Sequence, residues 1–401
     1  MIHKRLGPLG LAIVLFLLSI LAVDPLTQWM VKLYIKPGVI ETASENLIPT
    51  LFQGTLLQSM ALKDPTLVPM YGSSEFGVGG PYNPTKLFAG KPTDWTPYLI
   101  GHAGSLDLIQ TLYAGAQDLK GKKTVLSLSP QWFNNGGIAQ NTFAANFSAL
   151  QAYKLLFNSS LTVQTKKALS ERLSQFNEVK QTYPILEGLL KYYDRSDPES
   201  RLMEAFYWPI ARVEMASLEI QDTLKTIKVI QQLSVKEIAK NASDKSRRTL
   251  PDWPIMQEKA TADVEKNENN NPFGVNNNFF KKNIPNLNKL KNSSVKGRLY
   301  PSPEYSDLNL LMRVLKDEGA EPIFLIQPVN GSWYDFTGFP KQQRQKYYSQ
   351  VREMADRYGY ALADFSGHEY DKYFMNDPSH PSEKGWLEID ETLDKFVHQK
   401  S

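Results

Sequence analysis

The 401-residue chain is 42% hydrophobic and 22% charged, with a formal net charge of +3, which is typical of a globular protein with one large core or two modest ones. This balance, without a basic stripe or a binding motif, argues against nucleic acid as a partner. The sequence contains no cysteine, which excludes disulfides, thiolate catalysis and cysteine-ligated metals.

The N-terminus carries an apolar segment, residues 6–23, directly after His3, Lys4 and Arg5. About 20 apolar residues cross a bilayer, and basic residues ahead of such a segment favour a cytosolic N-terminus. The alternative is a cleaved signal peptide, but the segment lacks a clear A-x-A cleavage site. We therefore predict an uncleaved transmembrane anchor at residues 1–24, with the rest of the chain exported.

The first strand of the exported part is predicted at residues 66–71, and Gly-Ser-Ser follows at residues 72–74. Pro69 favours an edge position for this strand, because proline has no N–H to donate. Ligands of open α/β sheets bind beyond the carboxyl ends of strands, so a serine here can carry chemistry. Phe76 stands where a G-x-S-x-G elbow needs glycine, which disfavours an α/β-hydrolase. Taken on its own, Gly-Ser-Ser is better explained as a strand-to-helix turn with a serine cap.

A second good strand is predicted at residues 124–129, followed by Pro-Gln-Trp-Phe at residues 130–133. Polar groups and an aromatic ring thus gather again just beyond a strand end. Between the two strands, residues 99–105 lead into an amphipathic helix at about residues 106–119.

The middle of the chain has a different pattern. From about residue 145 to residue 240, apolar residues recur at three- and four-residue steps, which predicts helices that form a core or a cover. Residues 267–294 are rich in Asn and Lys, with Gly and Pro, and predict a long surface loop, a solvated linker rather than a partner-binding segment.

After residue 300 helices and strands alternate again. Strands are predicted at residues 322–327 and 360–365, between helices that end near residues 318, 358 and 398. This alternation indicates a parallel sheet with right-handed crossovers. We predict one α/β domain made of residues 25–145 and 296–401, with residues 146–295 as a helical insertion.

A compact motif near the C-terminus can hold two catalytic side chains. Asp377 stands three residues before His380, on a turn that Pro378 and Pro381 constrain. With a serine from the first strand, this pair makes an acyl-transfer site, in which the histidine takes the serine proton and the carboxylate fixes the histidine tautomer. The alternative is a structural, hydrogen-bonding histidine at position 380.

The other histidines are less suitable as the base. His3 precedes the anchor, His398 is three residues from the C-terminus, and neither His102 nor His368 has the same Asp and proline context. His102 is better placed to orient a loop near the site. A metal centre would need His102, His380 and a carboxylate to converge, and no H-E-x-x-H or similar spacing is present, so we predict no metal.

These motifs resemble the DltD family, membrane-anchored proteins of the lipoteichoic-acid D-alanylation system of Gram-positive bacteria. The resemblance covers essentially the whole chain and rests on the anchor, Gly-Ser-Ser-Glu at residues 72–75, Ser-Pro-Gln-Trp-Phe at 129–133 and Asp-Pro-Ser-His-Pro at 377–381. The family is similar to SGNH hydrolases and acyltransferases. The resemblance therefore implies a flavodoxin-like α/β sandwich.

The SGNH pattern also implies roles for single residues. Its first block reads Gly-Asp-Ser with the last residue as nucleophile, which favours Ser74 over Ser73, although the residues alone leave both open. Asp377 and His380 fill the Asp-x-x-His of the last block. The second block offers a glycine N–H to the oxyanion, and Gly104 is the best match.

The third block of the pattern usually supplies an asparagine to the oxyanion. No Asn follows residues 124–129 directly, and Ser129 or Gln131 stands there instead. Trp132 is a candidate for a wall that excludes water, with a core position as its alternative.

The resemblance implies an extracellular acyl transfer from a single-pass protein of the cell membrane, without cofactor or metal. A D-alanyl group would come from the cytosolic carrier protein through a membrane-bound O-acyltransferase to Ser74, and then pass to a glycerol-phosphate hydroxyl of lipoteichoic acid. Two alternatives remain: a surface esterase or thioesterase that uses the same residues, and a non-catalytic scaffold that binds the membrane acyltransferase.

Overall fold

A five-stranded parallel sheet organises the computed structural model, which describes residues 3–90, 93–242 and 251–399. The strand order is β2-β1-β3-β4-β5, and all four neighbouring pairs are parallel, which confirms the predicted α/β class. The strands are β1 (Leu67–Tyr71), β2 (Thr96–Ile100), β3 (Lys123–Leu128), β4 (Glu321–Ile326) and β5 (Ala361–Asp364).

Within the described ranges, helices make up most of the remaining structure. Before and between the first strands lie α1 (His3–Lys32), α2 (Val39–Glu45), α3 (Pro49–Gln53), α4 (Leu56–Ala61), α5 (Pro84–Gly90) and α6 (Asp107–Gly115). Between β3 and β4 lie α7 (Gln140–Asn146), α8 (Ala149–Phe157), α9 (Val163–Leu173), α10 (Asn177–Thr182), α11 (Pro184–Tyr192), α12 (Pro198–Gln232), α13 (Val235–Asn241), α14 (Trp253–Asn267), α15 (Asn277–Asn283), α16 (Leu287–Leu290) and α17 (Glu304–Glu318). The last three are α18 (Gly331–Phe336), α19 (Lys341–Tyr358) and α20 (Glu383–His398).

Local sequence explains several of the helix ends. Asp197 accepts a hydrogen bond from the backbone N–H of Ser200 and caps α12, and Ser382 accepts from two N–H groups at the start of α20. Gly319 ends α17 at a φ of 70°, a left-handed conformation that glycine adopts without a Cβ penalty.

The sheet is buried on both faces, which explains why its strands are nearly continuous apolar runs. Alternate residues point to opposite sides. Leu126 and Phe324 face a core shared with α6, α17 and α19, whereas Val125 and Ile323 face a second core shared with α14 and α20. The result is a three-layer sandwich with its strand carboxyl ends at one edge.

Pro69 lies in β1, an interior strand, although proline favours sheet edges. The ladder between β1 and β3 includes only Met70↔Val125 and Tyr71↔Leu126 and begins after Pro69. The N–H of Gly72 donates to the Ile100 carbonyl of β2, and neighbouring residues of a strand alternate between its two sides. Pro69 therefore faces β3 before pairing begins, and its missing N–H leaves no ladder bond unmade.

Helix α1 is longer than the predicted span at residues 6–23. Its candidate membrane span, Val14–Lys32, has a mean hydropathy of 1.8, and α1 is the one helix of the described ranges that is long and apolar enough to cross a membrane. Past residue 20 the helix continues because it packs on the body: Thr27 and Val31 are buried, and Asp24 lies 3.4 Å from the ammonium of Lys154. Residues 1 and 2 of the predicted anchor lie outside the described residues.

The insertion between β3 and β4 is helical, as the periodicity predicts, and its longest element, α12, packs along α1, α8 and α11. The boundaries at residues 146 and 295 remain a prediction. Residues 91–92, 243–250 and 400–401 of the predicted domains also lie outside the described residues.

The prediction of a solvated loop at residues 267–294 is wrong. The segment contains α15 and α16, and Phe273 and Val275 are buried. The Phe273 ring packs edge-on against Trp333, and the N–H of Asn276 donates to the Asn376 carbonyl at 2.7 Å. The side chains of its asparagines mainly form hydrogen bonds with backbone groups of the same segment. These polar residues therefore stabilise a folded segment beside Asp377.

Candidate active site

The two predicted catalytic motifs meet at the carboxyl edge of the sheet. Ser74 Oγ lies 2.9 Å from His380 Nε2, although the two residues are 306 positions apart. On the other side of the ring, His380 Nδ1 lies 2.8 Å from Asp377 Oδ2 and 3.0 Å from Oδ1. The three side chains form one continuous hydrogen-bonded chain, in the order that a serine nucleophile, a base and an orienting carboxylate require.

The turn at residues 376–381 fixes the acid and the base. Backbone N–H groups of Ser379 and His380 both donate to Asp377 Oδ1, at 2.9 and 3.0 Å. The N–H of Asn376 donates to the His380 carbonyl at 2.9 Å and closes the turn, and the N–H of Asn330 donates to the Pro378 carbonyl at 3.0 Å. The carboxylate orientation is therefore set by the backbone, not by the histidine alone.

Burial and charge act in opposite directions on the pair. Burial alone would lower the pKa of His380, but the hydrogen bond and the charge of Asp377 raise it above its ordinary value. Burial would likewise raise the pKa of Asp377, but its bonds to His380 and to the two N–H groups lower it. The carboxylate is therefore ionised near neutral pH, and the His380 Nδ1–H donates to it.

Ser74 lies in a tight turn after β1 that the end of β2 supports. The φ of Gly101 is +127°, and a Cβ at this position would lie 2.1 Å from the Gly72 carbonyl oxygen. Only glycine lets the two loops approach this closely. Ser74 is partly exposed and Ser73 is buried, so Ser74 is the serine of the pair whose hydroxyl reaches His380.

Ser73 has a different set of partners. Its hydroxyl donates to the His102 carbonyl at 3.0 Å and accepts from the N–H of Gly104 at 3.1 Å. The Gly104 N–H, the expected oxyanion donor, is therefore engaged by Ser73 and would reach an oxyanion only if this bond opened. Ser73 thus joins the turn at residues 72–77 to the loop after β2.

Of the residues that follow β3, Ser129 lies at the carboxyl edge of the sheet and Trp132 lies in the core. Ser129 is buried, and its hydroxyl has no hydrogen-bond partner in the described part of the chain. Ser74 and Ser129 follow the neighbouring parallel strands β1 and β3 at the carboxyl edge of the sheet. Trp132 is buried in the main core, its alternative position.

Gln131 is exposed and opens onto a cavity of about 520 Å³. Trp333 and Tyr334 of α18 line the same cavity, and α18 begins at Asn330, which bonds the Asp377–His380 turn. Burial and the charge of Asp377 raise the pKa of Tyr334 to about 12, against the opposing charge of Arg344. This cavity could hold part of a substrate near the three aligned side chains, and so could a second cavity of about 220 Å³ that Gly77 and Asn376 line.

Glu75 was not among the expected site residues. It is buried directly after Ser74, and its Oε1 accepts from the N–H of Ser73 at 3.0 Å. Burial raises the pKa of Glu75, although bonds from Ser127 and Ser73 oppose the effect. An acidic residue in a turn between a buried strand and Phe76 was the available signal, since such a group is buried only when it is hydrogen-bonded.

The His102 side chain is not part of the hydrogen-bonded chain that Ser74, His380 and Asp377 form. The His102 ring packs against Phe52, and its Nδ1–H donates to the Ala103 carbonyl at 2.8 Å. In the part of the chain that the structure describes, no group of three or more His, Asp or Glu side chains is arranged to hold a metal ion.

Comparisons with known proteins agree with the resemblance. The family model described as "DltD protein" matches residues 44–398. The chain is 39% identical to Protein DltD of Bacillus subtilis (strain 168) over 394 residues, which cover 97% of this chain and 96% of the relative. It is 27% identical to Protein DltD of Staphylococcus aureus over 92% of this chain and 90% of the relative, and 28% identical to Protein DltD of Lacticaseibacillus rhamnosus over 98% and 90%.

Proposed function

This chain belongs to the DltD protein family, and from that premise we propose that it transfers D-alanyl groups to lipoteichoic acid through an ester on Ser74. One observation carries the proposal: the hydrogen-bonded chain from Ser74 Oγ through His380 to Asp377, with a 2.9 Å Ser–His separation. That separation supports an enzyme over a non-catalytic scaffold, because a scaffold has no need of an aligned serine and histidine.

The first half-reaction loads the serine. Ser74 Oγ attacks the carbonyl carbon of the activated D-alanyl donor, and its proton passes to His380 Nε2. His380 then protonates the leaving oxygen or sulfur of the donor, and a seryl ester remains. Asp377 stays ionised throughout and stabilises the imidazolium that forms.

The second half-reaction reverses these roles. A glycerol-phosphate hydroxyl of lipoteichoic acid gives its proton to His380 and attacks the seryl ester, and His380 returns a proton to Ser74 Oγ. The ester that forms is similar in energy to the ester that breaks, so this step needs no further energy source.

An oxyanion forms in both half-reactions and needs hydrogen-bond donors. The hydroxyl of Ser129, which follows the neighbouring strand β3 and has no hydrogen-bond partner in the described ranges, is the first candidate. Gly104 N–H is the second, once Ser73 releases it, and Gln131 is a third. One such donor contributes about 3 kcal/mol to transition-state stabilisation.

The proposed setting is the outer face of the cell membrane. Helix α1 would anchor the chain, with a cytosolic N-terminus and the α/β body outside. The proposed partners are the membrane-bound O-acyltransferase of the system, lipoteichoic acid as acceptor, and the D-alanyl carrier protein as the upstream source. An esterase or thioesterase would use the same three residues, with water as the acceptor.

The experiment compares two neighbouring serines in cells. Ser74→Ala should remove the D-alanine esters of lipoteichoic acid while the protein still accumulates in the membrane. Ser73→Ala is the matched control and should retain measurable transfer, because it loses a loop contact and not the nucleophile. A normal ester content in Ser74→Ala would reject the proposal.

Purified protein distinguishes transfer from hydrolysis. With an acyl-ester donor alone, the proposed transferase should turn over slowly, and a glycerol-phosphate acceptor should accelerate donor consumption. Fast hydrolysis that the acceptor does not change would instead identify an esterase.

A further inference from the structure

The N-terminal half of α12 exposes large apolar side chains that the body does not cover. Leu202 is 71% exposed, Phe206 is 57% exposed and Trp208 is 47% exposed. Leu202, Phe206, Val213 and Ile220, at spacings of four and seven residues, lie on one face of α12, and Trp208 lies on a different face. A cluster of this kind on a folded protein marks a surface that contacts something else.

The direction of α12 places this cluster beside the anchor. Lys154 lies 2.8 Å from Glu219 of α12 and 3.4 Å from Asp24 of α1. Glu219 and Asp24 therefore lie at about the same height along the two neighbouring helices. Val31 of α1 and Ile230 of α12 lie together in one buried cluster, farther along both helices. The two helices therefore run in the same direction.

Residues of α12 before Glu219 consequently lie toward the side of the body from which α1 emerges. Phe206 is 13 residues before Glu219, or about 20 Å along the helix at 1.5 Å per residue. The apolar residues of α1 that extend on that side are exposed: Val14, Leu15, Phe16 and Leu18. Both helices thus present uncovered apolar side chains in the same direction.

Two cations lie next to the cluster, and the charge of Glu219 acts on one of them, Arg212. The Arg212 guanidinium lies over the rings of Phe157 and Trp208, at 3.8 and 4.8 Å, and its Nε is buried without a hydrogen-bond acceptor. Burial and the charge of Arg212 both lower the pKa of Lys166. In the described ranges no carboxylate lies within ion-pair distance of either cation, so an anion would stabilise both.

We propose that Leu202, Phe206, Trp208, Arg212 and Lys166, here called the interfacial patch, contact the bilayer beside α1 and bind the phosphate of an anionic lipid. The inference rests on the proposed anchoring by α1. Apolar side chains of an amphipathic helix enter the boundary between headgroups and acyl chains, aromatic rings concentrate there, and cations meet the lipid phosphates. The bilayer is the occupant that the anchor itself brings to this surface.

The absence of cysteine makes a direct depth measurement possible, because single cysteines carry a fluorophore at chosen positions of the full chain. Leu202→Cys and Phe206→Cys report the interfacial patch, and Leu15→Cys reports the anchor. Val235→Cys, at 81% exposure just past the opposite end of α12, is the matched surface control. All four side chains are exposed, so their replacement should leave the fold intact.

The labelled chains are reconstituted into phosphatidylcholine vesicles with phosphatidylglycerol, and quenching by a lipid-attached nitroxide is compared with quenching by a water-soluble nitroxide. Labels at 15, 202 and 206 should be quenched from the lipid, and the label at 235 from water. If position 15 reports lipid but 202 and 206 report water, the anchor stands and this inference fails. Labels at 202 and 206 that are protected from both quenchers would mean a protein cover, such as a second copy, and would also overturn it. A label at 15 that reports water would reject the anchoring itself.

The lipid phosphate is tested in the Phe206→Cys background. Quenching by nitroxide-labelled phosphatidylglycerol should exceed quenching by labelled phosphatidylcholine, and Arg212→Gln should reduce this preference by about fivefold, the factor expected for one cation at an anionic surface. Arg201→Gln, an exposed arginine of the same helix, is the control and should change it little. A preference that survives in Arg212→Gln, or that free inorganic phosphate abolishes, would overturn the lipid assignment.

Discussion

Asp377 determines which nitrogen of His380 can act as the base. Its carboxylate accepts from the His380 ring and from two backbone N–H groups, so it is held in place whether or not the ring carries a second proton. The proton on Nδ1 leaves Nε2 as the acceptor that faces Ser74. The tautomer needed for catalysis is therefore the one that the turn at residues 376–381 stabilises.

Replacing this carboxylate should change both the rate and the pH dependence of acyl transfer. We expect Asp377→Asn to lower kcat by about 10⁴-fold, the effect of losing the correct tautomer in a serine triad. Activity needs neutral His380, so the rate rises with pH through the pKa of this group. Asp377 raises that pKa, and its removal should move the acid limb of the pH–rate profile to lower pH. A limb that stays in place would mean that another group titrates.

Glu75 should matter for stability through the N–H of Ser73. Glu75→Ala leaves this buried donor without an acceptor, which should lower the free energy of unfolding by about 1–3 kcal/mol in urea titrations. Glu75→Gln keeps an acceptor oxygen and resembles the protonated acid that burial favours, so its stability should stay close to wild type. Equal losses in both variants would show that the charge of Glu75 is what the turn requires.

At the level of elements, the ends of β1 and β2 position the nucleophile turn. Gly101→Ala combines a φ of +127° with a Cβ that would lie 2.1 Å from the Gly72 oxygen. We expect a loss of more than about 3 kcal/mol in unfolding free energy, together with reduced transfer by the protein that remains folded.

Gly121→Ala is the matched control for this variant. Gly121 also has a positive φ, +63°, but a Cβ there would meet no atom within 4 Å. Its cost should be limited to the left-handed backbone, about 1 kcal/mol. If the two variants lost the same stability, the contact between Gly101 and Gly72 would contribute nothing.

The elements differ in how far sequence predicts them. Apolar runs between turn residues predict β1, β3, β4 and β5, because buried parallel strands need continuous apolar sequence. β2 was not predicted: its Thr-Pro-Tyr start looks like a break, and the strand depends on its pairing with β1 from Leu67↔Thr96 onward. The segment at residues 267–294 is folded by contacts with Asn376 and Trp333, which composition does not reveal.

At the level of the whole molecule, α1 has an exposed part and a part that belongs to the body. A chain that begins at Ser19 should keep its unfolding free energy, because Val14, Leu15, Phe16 and Leu18 are exposed. A chain that begins at Leu33 should lose about 2 kcal/mol or more, because it removes the buried Val31 from its cluster with Ile230. Chemical denaturation of both truncated chains checks this. Equal stability would mean that α1 does not pack on the body.

The main residues of the candidate site could be predicted from the sequence, but the hydrogen bonds that connect its loops could not. Asp377 and His380 share one turn, so their spacing alone predicted the pair, whereas the choice of Ser74 over Ser73 came from the resemblance. The bonds from Gly104 to Ser73 and from Asn330 to Pro378 depend on how loops from separate elements meet. Such contacts depend on the packed fold, and no local sequence pattern predicts them.

The central claim, that Ser74 carries the acyl group, is tested most directly by mass spectrometry of the protein after incubation with an activated D-alanyl donor and rapid acid quenching. The account predicts one D-alanyl adduct, which fragmentation assigns to Ser74, which persists in Ser73→Ala and disappears in Ser74→Ala. An adduct on Ser73, or acyl transfer that proceeds at the wild-type rate in Ser74→Ala, would contradict it.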